Sequence, residues 1–524
     1  MKLDLLPEPS GPPLERTTGV ESDTMYWKDW DRLETGIVRE RQGAMLHRFL
    51  KTQVLPYSPF YRDLFKREGL TDDDIRSVGD LRKIPLTSKV DIAPTSDHPD
   101  KPRRLVLQPD PKTYASSIGL GKKVGLFREK LATGRHIKDL VLDEYLPVFF
   151  IATTGRTANP TPFFYSKTDM ALFEQAGKRL FEISEVRRAD DFVISIFPYA
   201  PHLAFWIVYQ GGIVTGTPVF HTGGGKVMGT DRIASMIEKF DATVMIGIPG
   251  YTYHLLRIAQ EKGADYSKIR LVVLGAERVT VGYKRRLLEL LTSMGAKEPI
   301  ILSTYGFTEA RVAWMECPTA NSVEETTRYH LYPDMHIFEI IDPDSGEPVG
   351  DGESGEIAIT CLDWRGSVVL RYRTGDYAKG GITWQPCPVC GRKVPRLSTN
   401  ITRLSDRGEL QLSKVKGTLV DFNEFFPIMH DQKEILEWQV EITKRNGDPH
   451  ELDEIHLHLT VREGSECDEV VRRVCGIVRE RMELSIENVL FHDICEMTDR
   501  LGMETNPKEI RIRDRRKEFQ SMEE

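Results

Sequence analysis

The sequence predicts an α/β fold, with a large multi-sheet N-terminal domain followed by a small α+β C-terminal domain. Three observations carry this. From residue 148 onward, short apolar runs alternate with segments of helical spacing, the pattern of parallel sheets with helices on their faces. After about Leu404 the texture changes to two alternating strands, a helix and a further strand. The length, 524 residues, exceeds what one ordinary core organises.

Taken in order, residues 1–22 are Pro-rich and expected to be loosely ordered. Between Asp23 and Thr52 the apolar residues Met25, Trp27, Trp30, Leu33 and Ile37, then Met45, Leu46, Phe49 and Leu50, recur at helical spacing and predict two helices. Residues 96–120 are polar and Pro-rich and read as a long surface loop. Strands are expected at 148–152, 192–197, 213–220, 243–248, 269–275 and 299–306. Helices are expected between them at 168–184, 230–239, 251–262 and 280–294. Residues 336–341 and 354–361 flank a Gly/Asp/Pro-rich turn and read as a hairpin, with more strand at 367–372. Beyond the boundary placed at Ser405–Asp406, the segments 440–447, 455–461, 467–484 and 488–493 form a β-β-α-β module.

The bulk numbers exclude several classes. Hydrophobic content of 40% and charged content of 29% fit a globular protein. A net charge of −8 argues against a general binder of nucleic acid or anionic membrane. No run of about 18 apolar residues is present to cross a bilayer, and the N-terminus lacks the apolar stretch of a signal peptide. Seven cysteines, an odd number in a long chain, point to a reducing, cytoplasmic setting rather than a disulfide scaffold.

Three separated stretches carry the chemistry: ATTGRTANPTPFFYS (152–166), STYGFTEA (303–310) and YRTGD (372–376). The first places Thr153, Thr154 and Gly155 directly after a strand, where backbone N–H groups and hydroxyls can meet a phosphate, with Arg156 beside them. In the second, Tyr305 and Gly306 end a strand and Thr308 and Glu309 follow it. In the third, Asp376 offers a carboxylate able to accept from two ribose hydroxyls. Separately, Cys387-Pro388-Val389-Cys390-Gly391 is a turn that can bring two thiolates to one metal, and Cys317 and His330 upstream could complete a tetrahedron. Cys361, Cys467, Cys475 and Cys495 read as isolated packing residues.

In this order and spacing the motifs resemble the acyl-adenylate-forming superfamily, and more narrowly its phenylacetate–coenzyme A ligase-like branch. The resemblance covers about residues 148–515. It implies an adenylate-forming domain over 1–404, with 96–147 an insertion, and a mobile C-terminal domain over 405–524. It implies an enzyme that activates a carboxylic acid, expected to be aromatic, with Mg·ATP and then transfers it to coenzyme A.

The resemblance also distributes roles. Thr153, Thr154, Gly155 and Arg156 hold phosphates, although the family's first Ser and Gly are absent here and two residues are added before Pro160. Gly275, Ala276 and Glu277 lie beside adenine, Tyr305 stacks on it, and Gly306 belongs to the same nucleotide-binding set. Thr308 meets the α-phosphate, Glu309 binds Mg²⁺, and Asp376 with Arg403 holds the ribose. Tyr199, His202, Phe205, Gly247, Ile248 and Pro249, with Ile246 and Tyr251 behind, wall the acid pocket, and His202 orients the carboxylate or gates the pocket. Lys508 pairs with the carboxylate and α-phosphate during adenylation, and after a swing of the C-terminal domain Lys416 and Gly417 admit the thiol. Some members carry structural zinc at positions equivalent to Cys317, His330, Cys387 and Cys390, and a homodimer is the assembly the family implies. The altered phosphate loop leaves open an amine, hydroxyl or other acceptor on the same fold, or activation of another oxyanion. A nucleotide-binding regulator without turnover is the reading from another class.

Overall fold

The computed structural model describes residues 27–153, 160–404, 412–415, 418–447, 453–482, 484–503 and 509–516. Residues 1–22, the boundary Ser405–Asp406, and Thr154, Gly155, Arg156, Lys416, Gly417 and Lys508 lie outside them.

Strand β1 (Pro147–Ala152) pairs antiparallel with β2 (Pro162–Ser166), and the two form a sheet of their own. The expectation that 148–152 opens the parallel series is therefore corrected. The strand carries aromatic residues on alternate sides, which suits a two-stranded ribbon lying over a core better than a strand covered on both faces. The parallel series is β3 (Val193–Pro198), β4 (Val219–Gly223), β5 (Val244–Gly247), β6 (Leu271–Leu274) and β7 (Ile300–Phe307). They are ordered β4-β3-β5-β6-β7, all neighbours parallel. β5 and β6 are buried at every residue, as strands covered by helices on both faces must be. The sheet continues antiparallel through β8 (Val312–Met315) and β9 (Tyr329–His330) to the short strands Arg396–Leu397 and Ile382–Thr383, nine strands in all.

Four helices make the crossovers: Leu203–Thr215, Thr230–Lys239, Pro249–Glu261 and Val281–Ser293. The first corrects the expected strand at 213–220, whose first three residues finish this helix and whose last two open β4. The run LAFWIVYQGGIVT is apolar almost all round, so no 3.6-residue period separates helix from strand. Its glycines serve packing. A Cβ on Gly177, in the helix Lys167–Ile183, would stand 2.7 Å from the backbone nitrogen of Gly211, so the two helices touch through backbone.

A second sheet holds β10 (His336–Ile341), β11 (Gly355–Cys361), β12 (Tyr372–Ala378) and the strand Ile401–Arg403, antiparallel throughout. The expected strand at 367–372 begins only at Tyr372. The Pro-rich stretch at 96–120 is also corrected. It holds short helices at Lys101–Arg104 and Pro111–Ser117 and buries Leu105, Val106 and Leu107, and Val106 bridges to Ser367. Three consecutive apolar residues inside a polar frame were enough to fix the segment to the core, a signal the overall composition masked. Of the cysteines expected to pack, Cys361 is buried and Cys475 half-buried, but Cys467 and Cys495 are exposed.

Beyond residue 412, a four-stranded sheet in the order Asn488–Phe491, Asp453–Val461, Ile435–Lys444, Ile512–Asp514 carries the helix Cys467–Met482 over its own apolar core. Its contact with the larger body includes the buried Arg286 guanidinium. This donates to the carbonyl oxygens of Met429 (2.7 Å), His430 (3.2 Å) and Gln432 (2.5 Å). No helix among the described residues is long and apolar enough to cross a membrane.

Candidate active site

In a parallel sheet the strands deliver their carboxyl ends to one edge, and ligands bind in the crevice there. Here β5 ends at Gly247, β6 is followed by Gly275, and β7 ends in Tyr305, Gly306 and Phe307. Both glycines are spatial necessities. A Cβ on Gly247 would strike Ile196, and one on Gly275 would stand 2.7 Å from the Thr304 methyl. The Gly275 amide donates to the Gly247 carbonyl at 3.0 Å, which ties the two strand ends together. Ala276 then turns with φ +73°, a left-handed conformation, and the half-buried Glu277 follows it.

Tyr305 is the hub of the site. Its ring makes stacked contacts with Tyr329 (centroids 5.8 Å apart, 25° between planes) and with Trp314 (6.0 Å, 29°). Its hydroxyl donates to the Asp376 carboxylate at 2.6 Å. That bond joins the two sheets, because Tyr305 belongs to β7 and Asp376 to β12. Burial, then the neighbouring Asp376 charge, holds the Tyr305 phenol well above its ordinary range, so it stays a donor. Arg403 stands directly across from Asp376 in the ladder, and its Nε pairs with the other carboxylate oxygen at 2.9 Å. A second bond, from Arg403 Nη1 to the Thr374 carbonyl at 2.9 Å, fixes the guanidinium plane.

Glu309 lies just past the end of β7, half-buried, and accepts from the Tyr372 hydroxyl at 3.1 Å. Burial raises its pKa above the ordinary carboxylate range, so the ionised form gains from a cation beside it. Such a carboxylate fits Mg²⁺, which takes one or two protein carboxylates and keeps its other positions for water and phosphate. Tyr372 stands inside the YRTGD stretch but drew no role from the sequence, since nothing in a linear motif says that its phenol reaches back to Glu309. Thr308 is half-buried beside Glu309, and Gly306 is exposed and pressed against Ala313.

At the neck of the phosphate-loop segment, the Thr153 amide donates to the Thr161 carbonyl and the Thr161 amide to Thr153 Oγ1, both at 3.1 Å. The Thr153 hydroxyl oxygen is thus engaged in closing the loop's base. His202 Nδ1 lies 3.2 Å from the Ala152 carbonyl, which orients its ring from the start of the helix Leu203–Thr215. Tyr199 is 66% exposed and meets Phe205 edge-on at 5.2 Å, so its ring stands at the surface beside that of Phe205. Ile248 and Pro249 start the helix Pro249–Glu261, and Ile248 is buried.

Apart from these, Cys317, His330, Cys387 and Cys390 bring their ligand atoms within 4.8 Å of one another. Cys317 Sγ stands 3.7 Å from Cys387 Sγ, and Cys390 Sγ 3.3 Å from His330 Nε2. A tetrahedral Zn²⁺ with Zn–S of about 2.3 Å and Zn–N of about 2.0 Å needs edges of about 3.8 Å and about 3.5 Å, so spacing and donor set fit that ion. A disulfide would need about 2.05 Å. His330 Nδ1 faces the Met315 carbonyl at 3.2 Å, which leaves Nε2 toward the thiols. Gly391, at φ +72°, closes the turn between the last two cysteines.

Residues 104–361 match the family model of AMP-binding enzymes. The chain is 26% identical to a phenylacetate-coenzyme A ligase of Thermus thermophilus over 453 residues, 84% of this chain and 85% of that one. It is 24% identical to the phenylacetate-coenzyme A ligase of Escherichia coli, over 83% and 86%. Among solved structures, a 2-hydroxyisobutyryl-CoA ligase in its postadenylation state superposes with a TM-score of 0.70 at 19% identity, covering 96% of this chain and 95% of that one. The same ligase in its thioesterification state gives 0.57 at 18% identity, over 95% and 94%. These structures share the fold.

Proposed function

We propose, for a chain that belongs to the acyl-adenylate-forming superfamily in its phenylacetate–coenzyme A ligase-like branch, that it is an AMP-forming acid–thiol ligase. It activates a carboxylic acid with ATP and passes the acyl group to coenzyme A. The observation that carries the reading is the convergence of Tyr305, Asp376, Arg403, Glu309 and Tyr372 at the carboxyl ends of the parallel strands.

In the first half-reaction the acid's carboxylate oxygen attacks the α-phosphorus of ATP, and the bond to the leaving pyrophosphate breaks. Asp376 accepts from the ribose hydroxyls while Arg403, paired with it at 2.9 Å, keeps that carboxylate oriented. The Tyr305 face and the Gly275–Ala276–Glu277 turn bracket the base. Thr308 donates to the α-phosphate, and Thr153, Thr154, Gly155 and Arg156 steady the β- and γ-phosphates. Mg²⁺ bound at Glu309 would neutralise phosphate charge, with Tyr372 fixing the rotamer of that carboxylate. Tyr199, His202, Phe205, Gly247, Ile248 and Pro249 give the acid an apolar wall with one orienting imidazole. An aromatic acid suits the Phe205–Tyr199–Trp206 cluster of edge-on rings.

In the second half-reaction the thiol attacks the acyl carbonyl, a thioester forms and AMP leaves. The C-terminal domain turns about Ser405–Asp406 between the two, so that Lys508 serves the first and Lys416 with Gly417 the second. The knuckle of Cys317, His330, Cys387 and Cys390 would hold a structural Zn²⁺. Its three reduced thiols suit the cytoplasm, where a homodimer is the assembly expected.

Pyrophosphate release with a panel of aryl acids, with and without coenzyme A, tests the reading. Release with at least one aryl acid and a coenzyme A-dependent thioester are expected. Release that ignores coenzyme A would point to another acceptor, and none with any acid to a regulator. Lys508→Ala is expected to cut adenylation about 10²-fold, while thioester formation from supplied acyl-adenylate stays near wild type. Equal losses in both would remove its assigned role. Tyr372→Phe, which forfeits one hydrogen bond of about 1 kcal/mol, is expected to raise the Mg²⁺ needed for half-maximal pyrophosphate release roughly fivefold. An unchanged Mg²⁺ titration would separate Tyr372 from that carboxylate's function.

A further inference from the structure

One residue beyond Lys508 in the chain, Glu509 makes a contact that the mechanism has not used. Its carboxylate occupies the space where a Cβ on Gly250 would stand, with both oxygens and the carboxyl carbon against that position. Gly250 is the second residue of the helix Pro249–Glu261 and follows directly on Gly247, Ile248 and Pro249 of the acid-pocket wall. Any side chain at 250 would displace the carboxylate. The backbone there shows no left-handed φ, so closeness to Glu509, not conformation, is what calls for glycine.

The carboxylate is held from behind. Arg511 grips it with Nε to Oε1 at 2.7 Å and Nη2 to Oε2 at 2.8 Å. Arg511 is itself buried. Its Nη1 pairs with Glu437 at 2.6 Å and donates to the Trp438 carbonyl at 3.0 Å, and its guanidinium lies 5.3 Å from the Trp438 ring centre. Glu437 and Trp438 belong to the central strand Ile435–Lys444 of the C-terminal sheet. A two-point grip of this kind leaves Glu509 little rotamer freedom, so the small domain presents a rigid carboxylate. On the other side, the Tyr283 hydroxyl donates to the Pro249 carbonyl and fixes the start of the receiving helix. A carboxylate at a helix start is favoured by the positive end of the helix dipole.

We propose that Glu509 is a positioning residue. Carried by Arg511, it seats the C-terminal domain in the notch at Gly250 for the adenylation half-reaction and is withdrawn for the second. The inference rests on the two-step reading above and adds to it the contact that sets one of its two arrangements. The Arg286 contact with the carbonyls of residues 429, 430 and 432 is remote in sequence from the lysine, whereas the Glu509 seat lies beside it.

The test uses the full chain with phenylacetate as probe acid and measures the half-reactions separately. These are acid-dependent exchange of pyrophosphate into ATP, and consumption of supplied phenylacetyl-adenylate by coenzyme A. Gly250→Ala and Glu509→Gly are each expected to lower exchange about tenfold and leave the coenzyme A step within about twofold. The double variant is expected to lose no more than Glu509→Gly alone, because the methyl then meets empty space. Losses that multiply to about a hundredfold would mean that Gly250→Ala distorts the pocket itself and would overturn the seat. Equal losses in both half-reactions would overturn it as well. Hydrogen exchange at residues 509–514 is expected to rise in Gly250→Ala whether or not any acid is turned over, and unchanged protection there refutes the contact. An unmodified chain that exchanges pyrophosphate with no acid fails the functional reading instead, while the hydrogen-exchange result still decides the seat.

Discussion

Replacing Asp376 by alanine is expected to lower kcat/KM for ATP by about 10²- to 10⁴-fold. Two hydrogen bonds from ribose hydroxyls to an ionised acceptor are worth about 1.5–3 kcal/mol each, and each 1.36 kcal/mol is about tenfold. The local cost adds to this. Arg403 would lose its 2.9 Å partner, and the Tyr305 hydroxyl its 2.6 Å acceptor. The variant should remain folded, because the strand that carries Asp376 is held on both sides by ladder bonds between backbones, which the substitution leaves in place. Isothermal titration with ATP and steady-state pyrophosphate release check both parts. A variant that binds ATP as the parent does would dissociate Asp376 from nucleotide recognition. Asp376→Asn should fall between the two, since it keeps the shape and one acceptor but not the charge.

Cys390→Ser is expected to produce the largest change in stability. Structural zinc contributes about 10–16 kcal/mol of apparent binding free energy in small zinc modules at neutral pH, and one weakened ligand forfeits several kcal/mol of it. In a chain this long that corresponds to a fall of roughly 5 °C in the transition that includes the knuckle. Zinc content, measured by atomic emission on protein purified without chelator, should be about one per chain in the parent and near zero in the variant. Nucleotide binding should persist, because none of the four ligands touches the Tyr305–Asp376–Arg403 group in the hydrogen-bond network. Equal zinc content in parent and variant would remove the ion from the proposal. Tm unchanged on chelation would make the cluster a packed set of thiols.

The residue types of the site were legible in the sequence because the chemistry demands them. A carboxylate for a diol, an aromatic face for a base and a carboxylate for a divalent cation are the roles proposed for Asp376, Tyr305 and Glu309, whose order along the chain resembles the family's motifs. Their partners were less legible. Arg403 was placed by its position near a boundary, but that it faces Asp376 across a ladder depends on the register of two strands. Tyr372 was visible as a letter and silent as a function. The helix Leu203–Thr215 was half misread, because a segment apolar on every side carries no period. Leu105, Val106 and Leu107 were hidden in a polar context and emerged only as part of the core.

By itself the sequence determined the α/β alternation, the change of texture near residue 404, and an order of motifs that resembles a known family and supplies the roles proposed for its site residues. The first two are properties of composition and spacing, which local propensity and periodicity express directly. Only the tertiary structure decided which groups meet: Tyr372 with Glu309, Tyr305 with Asp376, and Glu509 with the bare backbone of Gly250. Such contacts join residues 63, 71 and 259 positions apart, counting from these numbers along the chain. Their geometry is set by strand register and by how two separately cored domains dock, and neither leaves a mark on the residues nearby in sequence.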